Sequence, residues 1–286
     1  MLSVVLALAA GISWGFADFL GGLNSRHLSL GTVLLVSQTV GLLLLLPLAI
    51  AHGWPLLDGP TVAYAVAGSV SGLIGIAALY RGMAVGSMSI VAPISATGAA
   101  LPILFGLVRG ERATPLQSLG IVLAAVGIVL ASRAVDDPDA KVRVRVANGV
   151  GFALLAALGF GGFFVLLHEA SMVDVLWAGA VQRLTGVCIM LVSAVLLRPT
   201  LSVGWSRLPG LIAVGALDAG ANVLYSFASV VGLVSVAAVL ASLFPVVSVI
   251  LARVVLRERL SPVQATGVAC ALAGVAFIAS YADAPV

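Results

Sequence analysis

The chain carries very little charge. Only 9% of its 286 residues are charged against 62% hydrophobic, and mean hydropathy is +1.22. A soluble domain carries roughly 25% charged residues, so there is too little polar surface here to coat a globule. Lysine is nearly missing: Lys141 stands alone among the 14 basic residues, which leaves little to grip a phosphate with. Histidine is scarce as well. His27 and His52 fall in loops and His168 at the end of an apolar run, far apart in sequence, and no H-E-x-x-H, C-x-x-C, G-x-S-x-G or P-loop pattern occurs. No enzyme, metal site, cofactor or nucleic-acid partner is expected. The two cysteines, Cys188 and Cys270, lie inside apolar runs and are expected to be small buried hydrophobes rather than a disulfide.

Long apolar runs are what the chain has instead. Ten of them, roughly 2–22, 30–51, 61–80, 87–108, 114–133, 147–168, 173–197, 208–230, 234–256 and 261–281, are each long enough to cross a hydrocarbon core of ~30 Å at 1.5 Å per residue. The opening run lacks a basic flank and stays apolar through Leu20, so it reads as a membrane helix rather than a signal peptide. The fold class is an all-α polytopic membrane protein. Its longest polar break, 133–149, holds Asp136, Asp137, Asp139 and four basic residues. The chain divides there into a first half, 1–134, a charged linker, 135–146, and a second half, 147–286.

The two halves repeat one another. "GERATPLQSLG" at 110–120 returns as "RERLSPVQATG" at 257–267. In both, Thr114 or Ser261 is an expected N-cap, Pro115 or Pro262 follows at the first helical position, and Gln117 or Gln264 completes a capping box. "LYRGMAVGSMSIVA" at 79 matches "LYSFASVVGLVSVAA" at 224, and Gln38 falls opposite Arg183. Five spans is an odd number, so the second half must enter the membrane upside down, as in many secondary transporters. Charge placement agrees. Arg26, Arg81, Arg133, Lys141, Arg143, Arg145, Arg198, Arg207, Arg253, Arg257 and Arg259 share one face, and only Arg109 and Arg112 share the other. By the positive-inside rule the termini lie outside and the linker in the cytosol of a cell's inner membrane. Glycines spaced four apart, such as Gly11 and Gly15 or Gly68 and Gly72, are expected to pack helices within the molecule. Trp54, Trp177 and Trp205, at span ends, are expected interfacial anchors.

These motifs, with "WGFADFLGGLNSR" in the first span and "LASLFPVVSVILARVVLRERLSPVQATGVACALAGVAFI" in the second half, resemble the EamA domain. The chain is similar to the ten-helix members of the drug/metabolite transporter superfamily. The resemblance implies two inverted five-helix EamA repeats around a central cavity, and export or exchange of amino acids or related small metabolites. It also implies cytosolic termini in many members, against the charge count here. Gly98 stands where Pro245 would map, with Pro93 and Pro102 flanking it.

Polar residues within apolar runs are the candidate site, because a charge at the bilayer centre costs about 2.5–3.5 kcal/mol on insertion scales. Arg183 and Asp218 lie about ten residues into consecutive spans, at matching depth, and form a candidate charge pair. Asp218, Asn222, Tyr225 and Ser229 make one helical stripe. Trp14, Gln38 and Tyr80 join Arg183, Asp218, Asn222 and Tyr225 as candidate cavity residues. Asp18 falls nearer the basic face. One intramembrane arginine suits a carboxylate better than a phosphate, so the expected partner is a small metabolite, in a chain embedded in lipid as a monomer, with a homodimer as the alternative. A flippase-type carrier of a lipid-linked or sugar-containing substrate is the second reading.

Overall fold

The structure, a computed structural model, describes residues 1–25, 27–53, 57–85, 94–95, 97–131, 142–197, 203–255 and 261–280. They form α1 (Leu2–Ser25), α2 (Leu30–His52), α3 (Gly59–Val85), α4 (Ala100–Val108), α5 (Pro115–Ala131), α6 (Val142–Ser171), α7 (Val175–Leu197), α8 (Leu208–Val231), α9 (Val234–Ala241), α10 (Phe244–Val255) and α11 (Pro262–Ser280). No strand occurs among the described residues. Helices α1, α2, α3, α6, α7 and α8 are long and apolar enough to cross a membrane, and the remaining spans are built from shorter apolar helices. Most of the 135–146 linker lies outside the described residues, but α6 starts at Val142, inside it.

The ninth span is two helices rather than one, and Pro245 is the physical reason. Without an N–H it cannot donate to the carbonyl four residues back, at Ala241, where α9 ends. Two short bonds bridge the gap, Ser242 N–H to Ala238 O at 2.9 Å and Leu243 N–H to Leu240 O at 3.2 Å. The fourth span carries the counterpart: a 3-10 turn, Thr97–Ala99, precedes α4, whose first turn holds Pro102.

Packing runs across the two halves more than within them. The most extensive pairings are α3 with α6, α5 with α11, α1 with α8 and α2 with α7. Shifted by five spans, α3 with α6 becomes α8 with α1, while the other two pairs map onto themselves. The molecule is therefore a pseudo-symmetric weave of both repeats, in which α2 with α7 and α5 with α11 are the self-matching pairs. The glycine pairs serve this weave: Gly11 and Gly15 back α1 onto α9 and α10, and Gly68 and Gly72 meet α6.

The repeated loop motif closes both capping boxes. Gln117 N–H donates to Thr114 Oγ1 at 3.2 Å and Thr114 N–H to Gln117 Oε1 at 2.9 Å; Ser261 and Gln264 repeat this at 3.2 and 3.0 Å. Glu111 does something the sequence did not announce. Gly110, at φ 87°, turns the chain so that Glu111 reaches the other repeat. Its carboxylate accepts from the N–H groups of Val234 and Ser235 and from Ser235 Oγ, capping the positive end of α9. Hydrogen bonds to a charged group contribute about 1.5–3 kcal/mol. Glu111→Ala should lower the thermal midpoint in detergent by an amount matching about 2 kcal/mol, with Glu111→Gln keeping part of it. An unchanged midpoint in Glu111→Ala would show that the cap contributes nothing.

Two expectations fail here. Trp177 is not an exposed anchor: it is buried, its Nε1–H donating to Gly53 O at 2.7 Å, whereas Trp205 is exposed. Cys188 is not buried but exposed on the outer surface, and no disulfide joins it to Cys270. An apolar position in a membrane helix can face lipid as readily as core. Trp54 lies outside the described residues.

Candidate functional site

Among the described residues, three charged side chains line a cavity of ≈ 590 Å³: Asp18, Arg183 and Asp218. Arg183 sits eight residues into α7 and Asp218 ten into α8, ~12 and ~15 Å along helices that enter from opposite faces. They meet near the middle. Arg183 Nη1 donates to Asp218 Oδ2 at 2.6 Å and to Gln38 Oε1 at 3.1 Å. Gln38 and Arg183 are thus repeat counterparts, 145 residues apart, in contact with each other. Glycine makes the layer possible. A Cβ on Gly41 of α2 would stand 3.0 Å from Arg183 Cδ, and one on Gly186 would stand 2.8 Å from Gln38 Oε1. Asp218 Oδ1 accepts from Trp14 Nε1 at 3.0 Å, so both carboxylate oxygens are engaged.

Trp14 is also the centre of an aromatic cluster. Phe163, Phe164, Tyr225 and Phe244 surround it at centroid distances of 5.6 to 6.5 Å. This cluster closes one end of the cavity. Among the described residues nothing before Trp14 on α1 and nothing after Gln38 on α2 lines it, whereas Ser25 and Leu30, at the far ends of those helices, do. The cavity therefore reaches from mid-membrane toward the arginine-rich face. The opposite side is packed solid by α9, all of whose residues are buried, against α1 and α8. Arg109 and Glu169 add an ion pair there, at 3.3 Å, and His52 Nε2 stands 3.5 Å from Asp174 Oδ2.

The cavity wall also holds unsatisfied polar atoms. Arg183 Nε and Nη2, Asn222 Oδ1 and Ser242 Oγ are buried and lack a hydrogen-bond partner among the described residues, and all three residues line the cavity. Leaving a buried donor or acceptor unmade costs about 1–3 kcal/mol, more for a charged group, so these atoms hold unused hydrogen-bonding capacity beside the cavity. His168 Nδ1 is the other such atom, and its ring packs edge-on to Phe105 away from this wall.

A family model described as the EamA-like transporter family matches residues 1–133 and again 147–280. The chain belongs to the EamA-like transporter family. A solved crystal structure, 17% identical, superposes with a TM-score of 0.80 over 98% of this chain and 97% of that one, a likeness that speaks for the fold alone. No curated protein matches.

In this EamA-like transporter the structure brings Trp14, Gln38, Arg183, Asp218 and Asn222 together at one cavity. Tyr225 is corrected: it is fully buried behind the wall, its hydroxyl donating to Phe164 O at 2.8 Å, and it does not line the cavity. A helical stripe of period 3.6 fixes a face, but the aromatic cluster covers that face one turn beyond Asn222. Tyr80's side chain lies outside the described residues. Several cavity residues, Gln182, Ser242 and Asp18 among them, lie outside the set the sequence predicts. Gln182 accepts from Asn222 Nδ2 at 2.7 Å, and its signal was another polar residue beside Arg183 within an apolar run. Asp18, set apart on depth, faces the cavity one turn beyond Trp14, because the cavity extends toward that end of α1.

Proposed function

We propose that this protein is a secondary transporter that exports or exchanges a small metabolite bearing a carboxylate, of the amino-acid kind, by alternating access. The orphaned Arg183 donors at the wall of the cavity carry this reading. A guanidinium already committed to one carboxylate, with two nitrogens still unpartnered, suits one further carboxylate. The volume fits a small ligand, since such sites run to about 300–1,000 Å³. The mixed packing supports rocking of α1 with α8 against α3 with α6, opening the side now sealed by Trp14 and its aromatic neighbours. Reconstituted protein should exchange at least one member of a panel of amino acids, sugars and phosphates. Uptake and exchange no greater than in empty liposomes across that panel would overturn transport, and selective movement of lipid-linked sugars would favour a flippase.

The orientation belongs to the same proposal: termini outside, linker in the cytosol, cavity facing the cytosol. It is supported by the 11 to 2 split of basic residues. With Cys188→Ala and Cys270→Ala as background, Ala140→Cys should escape an impermeant thiol reagent in intact cells and react once they are permeabilised. Labelling in intact cells would reverse the orientation.

A further inference from the structure

We propose that the substrate is a cationic amino acid, its carboxylate on Arg183 and its side-chain cation on Asp18, an inference that deepens the transporter reading and rests on it. Its first ground is the charge count. Among the described residues two carboxylates and one guanidinium line the cavity, so with both acids ionised it holds one net negative charge. Asp218 and Arg183 neutralise one another at 2.6 Å, and Trp14 Nε1 donates to the second Asp218 oxygen. Asp18 is the charge left over. It is exposed on the cavity wall and makes no hydrogen bond or ion pair among the described residues.

The second ground is position. Trp14, Asp18, Gly21 and Ser25 line the cavity from one face of α1, at i, i+4, i+7 and i+11. Trp14 reaches Asp218, so Asp18 stands one turn, ~6 Å, nearer the arginine-rich mouth than the paired layer. A ligand whose carboxylate takes the free Arg183 nitrogens therefore needs its cation a short chain away, and the four-carbon stem of lysine suits that separation. The rest of the lining agrees. Phe160, Phe163 and Phe244 line the cavity with Trp14, and aromatic faces attract a cation while offering an anion nothing.

Charge balance then selects among amino acids. A charge left uncompensated in a closing, water-poor site is costly, so the complex that closes best is the neutral one. A neutral amino acid, with one ammonium and one carboxylate, leaves the cavity as negative as it was when empty. An acidic one makes it more negative. Lysine, ornithine or arginine brings one net positive charge. Its zwitterionic end adds no net charge to the Arg183 and Asp218 pair, and its side-chain cation cancels Asp18. The carboxylate is needed as well as the charge, because a simple amine would leave the Arg183 nitrogens unpartnered.

Two measurements test this. In proteoliposomes at sub-saturating concentration, labelled lysine should exchange faster than glutamine by about tenfold or more, the discrimination given by one charge-assisted contact, with glutamate slower still. Choline, a cation with no carboxylate, should fall below lysine by a similar factor. Asp18→Asn should bring lysine down to the glutamine rate, with Asp18→Glu restoring part of the preference. In detergent, lysine should raise the thermal midpoint more than glutamine does at equal concentration, and this difference should vanish in Asp18→Asn, which tells a lost site from a folding defect. Glutamine, glutamate, choline or a sugar exchanged as fast as lysine, or a lysine preference that survives in Asp18→Asn, would overturn the proposal and leave transport standing. A wild type that exchanges nothing, in this set or in the wider panel, would remove the transport reading, and this proposal with it.

Discussion

Arg183→Ala should abolish transport and destabilise the protein at the same time. Removing one partner of a buried ion pair costs about 3–5 kcal/mol because the other charge is left uncompensated. Asp218, whose side chain is 28% exposed to the cavity against 2% for Arg183, keeps some solvation, which places the loss near 3 kcal/mol. The charge removed is only part of the effect. Gln38 loses its donor, and the polar layer that closes between α2, α7 and α8 comes apart. Arg183→Ala combined with Asp218→Ala removes both charges together and should recover most of the thermal midpoint, since a buried pair replaced by neutral groups is often close to neutral in stability. It should not recover transport, because the donors proposed for the substrate carboxylate are gone. Arg183→Lys separates the two effects further. An ammonium can reach Asp218 as a point charge, yet it cannot serve Asp218, Gln38 and a ligand from one planar fork. Full transport by the double variant would reduce the pair to a packing device.

The sequence disclosed most where repetition constrained it. Gln38 could be matched to Arg183 because the halves share a register, and a pseudo-two-fold axis brings counterpart positions near the axis into contact. The capping boxes were legible because a cap is local: Thr114 to Gln117 and Ser261 to Gln264 need three residues of chain and nothing else. What was hidden depends on a neighbour distant in sequence. Glu111 caps a helix 123 residues away, and nothing in "GERATP" names that target. Asp18 was set aside on depth alone, which measures distance along a helix axis but not how far a cavity extends. Tyr225 shared the right face of α8 and was still walled off, because the ring that covers it comes from α6. Helical periodicity assigns directions, and packing decides what lies in each.

Helix α6 offers the strongest check on that packing. A Cβ on Gly159 would lie 2.6 Å from both the Cα and the N of Gly75, and 2.9 Å from Ser71 O. These are backbone atoms of α3 and cannot swing aside. Gly159→Ala must push the two helices apart, which also strains the bond from Ser71 Oγ to Gly159 O, now 2.9 Å. Overpacking costs typically 1–3 kcal/mol, and the absence of a yielding side chain places this case at about 3 kcal/mol. The harm reaches the site, since Phe160 and Phe163 on the same helix line the cavity and Phe163 and Phe164 pack on Trp14. Gly151 is the control two turns earlier. Nothing lies within 4 Å of a Cβ there, so Gly151→Ala should be neutral or gain up to about 1 kcal/mol from lower chain entropy in the unfolded state. Thermal unfolding of the two variants in detergent should therefore shift in opposite directions, or shift for Gly159→Ala alone, with transport reduced only in that variant. Equal midpoints for the two would mean that α3 and α6 do not cross at Gly75 and Gly159.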